Sequence, residues 1–259
     1  MTIVRDVTSR HNDLFKDLRK LLADPAAYRK VGKVWLEGDH LCRALIERGR
    51  APARAIVTES GWARPALEWL ARGAPEVVRV PDALMRELSG LESPAPIGFL
   101  IDADTSVAAK AGVDTIVLDR LQDPGNVGSI LRTASAMGFA QVVALKGSVA
   151  LWSPKVLRAG MGAHFALTLV EGAAIADVAA LGLPLVGTHL RDAQWLHETP
   201  LPRPLAWVFG HEGQGMGEAM TAACTLRVRI AQPGGEESLN VAAAAAVCLY
   251  ESARRRAAQ

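Results

Sequence analysis

The sequence predicts an α/β protein in which a doubly wound, mostly parallel sheet follows a smaller α/β domain. Three observations predict it. From Thr115 onward, short apolar runs alternate regularly with helix-forming stretches, the pattern of a parallel sheet covered on both faces. Three polar, glycine-studded segments each follow such a run and lead into helical sequence, which places them on loops at strand ends, where an open α/β sheet builds its ligand crevice. Ahead of these lies a shorter alternation of about 90 residues, enough for a domain with its own core.

The elements follow in order. Leu14, Phe15, Leu18, Leu21 and Leu22 form one apolar helical stripe. The other face is basic: with Arg5, Arg10, Lys16, Arg19, Lys20, Arg29, Lys30 and Lys33, the first 33 residues hold eight positive charges against four acidic ones. A solvated helix face and a phosphate-contacting surface both fit this run. Strands are expected at 34–36, 55–57, 77–80 and 97–101, with helices over 39–48, 65–72 and 82–88. The polar, alanine-rich stretch 102–112 marks the boundary, giving domains 1–108 and 109–259. Beyond it, strands are expected at 115–118, 141–145, 165–170, 184–188, 205–210 and 225–230, with helices starting near Asn126, Pro154, Gly172, Gly217 and Ser238.

Composition bounds the function. The chain of 259 residues is half hydrophobic and about a fifth charged, a globular composition. Cys42, Cys224 and Cys248 are scattered, which argues against a disulfide framework and a zinc site and for a reducing, cytoplasmic compartment. The longest apolar run, 241–250, is too short to span a bilayer, and residues 1–13 carry charges throughout, so no membrane partner is expected. A net charge of +2 does not by itself declare a nucleic-acid partner.

The three segments run from Asp119 to Arg132, from Phe209 to Met216 and from Ile230 to Val241. None matches a phosphate loop or a dinucleotide fingerprint, and the histidines form neither a metal nor a hydrolase constellation. In the first, Asn126 can cap a helix whose wheel sets Asn126, Ser129 and Arg132 along one polar edge. In the second, glycines at 210, 213, 215 and 217 surround one carboxylate, Glu212, and allow backbone to approach a ligand closely. In the third, Ser238 and Asn240 stand at the mouth of an alanine-packed helix with free N–H donors. Each also has a plain structural reading as a cap, a turn or a solvated residue.

Together these residues resemble the SpoU, or TrmH-like, RNA ribose 2′-O-methyltransferases of the SPOUT superfamily. The first segment is similar to the family's Asn-x-Gly-x-x-x-Arg, the second to Phe-Gly-x-Glu-Gly-x-Gly, the third to Ser-Leu-Asn-Val. Trp152 to Ala163 resembles the intervening family segment, with Gly160-Met161 departing from its small-polar pair. Val34 to Leu41 resembles the start of the ribosomal-protein-like substrate-binding domain found in rRNA-modifying members.

The resemblance implies a trefoil-knotted C-terminal domain, S-adenosylmethionine as cofactor, a homodimer and no metal. It implies catalytic roles for Asn126, Arg132, Glu212, Ser238 and Asn240, and cofactor binding at Thr188, Gly210, Ile230 and Leu239. It adds weight to RNA contact by Lys16, Arg19 and Lys20, and makes Lys155 and Arg158 further candidates. The implied reaction is methyl transfer to a ribose 2′-hydroxyl of RNA, with rRNA favoured over tRNA; a non-catalytic RNA-binding factor of the same fold is the alternative.

Overall fold

The computed structural model describes residues 2–89, 92–190, 192–234 and 238–257. The chain divides into two compact units: residues 1–105 with 152–165, and residues 106–151 with 166–259.

The first unit carries five strands: β1 (Ile3–Asp6), β2 (Lys33–Glu37), β3 (Arg54–Thr58), β4 (Glu76–Val80) and β5 (Ile97–Asp102). Their order is β1-β4-β3-β5-β2. β4 pairs in parallel with β1 and β3, while β5 pairs antiparallel to β3 and β2. The stripe of helix Asp13–Ala23 is buried through Leu14, Phe15, Leu18 and Leu21, and Asn12 caps it by accepting from the Leu14 N–H at 3.0 Å.

The stretch 152–165 joins this unit although it lies deep in the second half of the sequence. Helix Pro154–Gly160 buries Val156, Leu157 and Gly160. Gly162, with φ +86°, lies so close to Ala44 that a side chain there would collide with it. Apolar burial, not chain continuity, assigns this excursion.

The second unit holds β6 (Thr115–Asp119), β7 (Gln141–Leu145), β8 (Thr168–Ala173), β9 (Leu185–Thr188), β10 (Gln194–Trp195), β11 (Ala206–Gly210) and β12 (Leu226–Arg229). They form one sheet in the order β10-β12-β9-β11-β6-β7-β8, and every pairing is parallel. From β6 the chain steps outward to β7, whereas from β11 it steps the other way to β12. Neighbouring β6 and β11 therefore flank a switch point, and a crevice opens beyond their carboxyl ends. Helices Pro124–Ala136 and Val241–Ala257 pack against each other on one face. The second is anchored to the sheet by buried Trp207, whose Nε1 donates to Ser252 Oγ at 2.9 Å.

The structure differs from the sequence expectation in several places, among them two unexpected short helices, Tyr28–Val31 and Glu59–Trp62. Residues Ala163–Ala166 form a 3-10 turn and β8 starts only at Thr168, because Phe165 belongs to the core of the first unit. The edge strands β1 and β10 were not expected; both are short and exposed, so neither shows apolar alternation. Helix Pro124–Ala136 is capped by Asp123, not Asn126: Asp123 Oδ1 accepts from the Asn126 N–H at 2.7 Å and Pro124 takes the first helical position. The last helix begins at Val241 rather than near Ser238. Of the third segment, Gly235, Glu236 and Glu237 lie outside the described residues, as does Leu91 in the first half.

Candidate active site

The site forms where the loops after β6, β11 and β12 converge. The loop after β11 carries Glu212, whose carboxylate reaches the loop after β6. Its Oε1 accepts from the Asp123 N–H at 3.1 Å and from Asn126 Nδ2 at 3.2 Å, and its Oε2 accepts from the Gln122 N–H at 3.2 Å. Burial pushes the Glu212 carboxyl up, but backbone N–H groups of Glu212, Asp123 and Gln122 and the Asn126 amide outweigh it, so it lies below the ordinary range and is ionised.

Asn126 extends the chain of contacts. Its Oδ1 accepts from Asn240 Nδ2 at 3.0 Å, and Asn240 Oδ1 accepts from the N–H groups of Ala242 and Ala243 at 2.9 and 3.2 Å. Asn240 thus caps helix Val241–Ala257 and couples that cap through Asn126 to Glu212. Because the ends of this chain are a carboxylate and backbone N–H groups, both amide orientations are determined.

Beside this network lies a cavity of about 520 Å³, within the size range of small-molecule sites. Thr188, Gly210, Glu212, Ile230, Ser238 and Leu239 line it. Gly210 is required by close approach: a Cβ there would sit 2.2 Å from Met216 N and 2.3 Å from Gly215 C. The same loop is braced by His211, whose Nδ1 accepts from the N–H groups of Gly213 and Gln214 at 3.0 and 3.3 Å, leaving the proton on Nε2.

The structure therefore brings Asn126, Glu212 and Asn240 into one network and Thr188, Gly210, Ile230, Ser238 and Leu239 onto one cavity. Arg132 is exposed on helix Pro124–Ala136 and its guanidinium makes no hydrogen bond among the described residues. The basic candidates divide differently. Lys16 pairs with Asp13 at 2.8 Å, Lys20 with Asp17 at 3.3 Å, and Arg19 donates to the Arg10 carbonyl at 3.0 Å with Glu87 at 3.7 Å. Lys155 and Arg158, three apart on helix Pro154–Gly160, are exposed with no partner among the described residues.

Sequence reasoning missed a brace beneath the site. Buried Asp119 accepts from the Gly217 N–H at 2.7 Å and from Arg120 Nε at 3.1 Å, and Arg120 Nη1 reaches Gln214 Oε1 at 3.4 Å. Arg120 holds φ +61° to do so, a conformation costly for a residue with a Cβ. Gln232 and Arg229, which also line the cavity, were missed too. No local signal marks these residues, since Gly217 and Gln214, which complete the brace, and most of the cavity wall come from other loops.

Comparisons with known proteins place the whole chain, and residues 114–250 in particular, beside RNA methyltransferases. Residues 114–250 match the model of the SpoU rRNA Methylase family. An uncharacterized tRNA/rRNA methyltransferase of Synechocystis is 31% identical over 98% of this chain and 95% of its own. The 23S rRNA (guanosine(2553)-2′-O)-methyltransferase RlmP of Bacillus subtilis is 28% identical over 95% of this chain and 98% of its own. Among solved structures, an AdoMet-bound rRNA methyltransferase from Sinorhizobium meliloti superposes with a TM-score of 0.83 at 26% identity, covering 98% of both chains.

Proposed function

Because the chain belongs to the SpoU rRNA methylase family, we propose that it transfers a methyl group from S-adenosylmethionine to a ribose 2′-hydroxyl of rRNA. The observation that carries this reading is the Asn240–Asn126–Glu212 chain, which ties the cavity wall to the helix bearing Arg132.

The cavity fits the cofactor. Its volume lies within the range of small-molecule sites, and two buried polar atoms on its wall, Gln232 Oε1 and Arg229 Nε, lack hydrogen-bond partners among the described residues. Thr188, Gly210, Ile230 and Leu239 would hold the cofactor, largely through backbone. Bound S-adenosylmethionine supplies an electrophilic methyl group on a sulfonium.

The protein's part is alignment and charge stabilisation. Methyl transfer needs the attacking oxygen, carbon and sulfur in line, and fixed loops supply that alignment. Glu212 acts as a strut, since its oxygens already accept three hydrogen bonds from Gln122, Asp123 and Asn126. The Arg132 guanidinium has no carboxylate partner among the described residues. It is free to hold a neighbouring phosphate and to stabilise the developing alkoxide, while the hydroxyl proton passes to solvent and the new O–C bond replaces the C–S bond of the departing thioether.

RNA contact is assigned to Lys155 and Arg158 ahead of Lys16, Arg19 and Lys20, whose charges are partly met within the protein. Residues 1–108 are read as the substrate-binding domain. The proposal includes the trefoil knot, a cytoplasmic location and the homodimer expected of the family. Exposed Ala243, Val247 and Tyr250 form a stripe on helix Val241–Ala257 that suits a twofold contact. Sedimentation as a monomer at micromolar concentration would remove the dimer from the reading.

The deciding experiment incubates purified protein and labelled S-adenosylmethionine with unmodified rRNA and, separately, tRNA. The expected product is an alkali-resistant dinucleotide from rRNA. Label in tRNA alone would reassign the substrate, and label in neither would leave an RNA-binding factor without activity.

A further inference from the structure

Gln232 lies on the cavity wall formed by the loop after β12, and its Oε1 is buried with no hydrogen-bond partner among the described residues. A carbonyl removed from water without a donor is an unmet cost, so a donor belonging to a bound molecule is the natural complement. The wall itself indicates which donor. Arg229 lies on it with its guanidinium 3.7 Å from the centroid of the Trp195 ring. This permanent cation disfavours the ammonium and sulfonium groups of the cofactor near Gln232. The carboxylate of the cofactor offers no proton to Oε1. Uncharged donors remain on the ribose hydroxyls and on the nucleobase, and of these only adenine presents an amino donor beside a ring-nitrogen acceptor, the complement of a primary amide and the pairing glutamine makes with adenine in nucleic acids.

We propose that Gln232 is a specificity residue that reads the adenine edge of S-adenosylmethionine. The inference rests on the cavity being the cofactor site. Its test is titration calorimetry on the full chain with S-adenosylhomocysteine and S-inosylhomocysteine, which differ by the exchange of the 6-amino group for a carbonyl. The wild-type protein is expected to bind the adenosyl compound about 10-fold more tightly or better, the discrimination one such bidentate pair supports. In Gln232→Met the ratio is expected to fall to about 2-fold or less, through weaker adenosyl binding, and Gln232→Leu is expected to give the same collapse. A wild-type ratio retained in both variants, or an equal loss for both compounds, overturns the role of Gln232. Failure of the wild-type protein to bind either compound overturns the cofactor reading instead.

Discussion

Arg132 and Asn126 stand on one helix, but the structure gives them different duties. Asn126 is locked between Glu212 and Asn240, whereas the Arg132 guanidinium makes no hydrogen bond among the described residues. Replacing Arg132 by Ala is therefore expected to spare the cofactor site and remove transition-state stabilisation. In single-turnover assays the rate should fall on the order of 10²–10³-fold, the usual loss for one charge-stabilising donor. Calorimetry with S-adenosylhomocysteine should change by about 2-fold or less, and an equal fall in both would make Arg132 a cofactor ligand or a structural residue. The polar types and their spacing were legible in the sequence at this scale. The cap was not read correctly, although Asp123-Pro124 is an N-cap and first-turn pair visible in the chain.

The C-terminal helix shows how an element is held at both ends. Asn240 caps its start, and Ser252 meets Trp207 near its end. In the last turns, Glu251 accepts from Arg254 at 2.8 Å and from Arg255 at 2.6 Å. Hydrogen bonds from Arg254 and then Arg255 outweigh partial burial and hold the Glu251 carboxyl down at about 2. A carboxyl lowered in the folded state contributes stability above its unfolded pKa, and that contribution is lost as pH falls through the folded value. Glu251→Gln should accordingly lower Tm at pH 7 by on the order of 2–4 °C, the shift that ~1 kcal/mol causes in a chain of this size. The difference should shrink between about pH 4.3 and pH 2. A Tm difference unchanged across that window in thermal melts followed by circular dichroism would show that the ionised carboxylate is not its source. At this scale the alternation of strands and helices was readable because each period is local. The edge strands β1 and β10 were not, since an exposed strand has no buried face to pattern.

Across the whole chain, the basic residues act according to what surrounds them. Lys16 and Lys20 each have an aspartate three residues earlier on the helix, while Lys155 and Arg158 stand exposed without one. The double variant Lys155→Ala, Arg158→Ala should weaken rRNA-fragment binding and lower the slope of log K against log salt by roughly 1.5–2. The corresponding Lys16, Lys20 variant should change it by less, and the reverse order in a filter-binding series would move the RNA surface to the N-terminal helix.

The chain alone specified a doubly wound parallel sheet, the three loops of the site and the residue types on them, because hydrophobic period, turn chemistry and helix signals act over a few residues. Only folding brought Asn240 to Asn126 across 114 positions, put Arg120 in a left-handed conformation over Asp119, left Gln232 Oε1 without a partner among the described residues on the cavity wall and returned 152–165 to the first unit. Each of these depends on which distant groups are buried together, and burial is set by the packing of the whole sheet and its helices rather than by any local spacing.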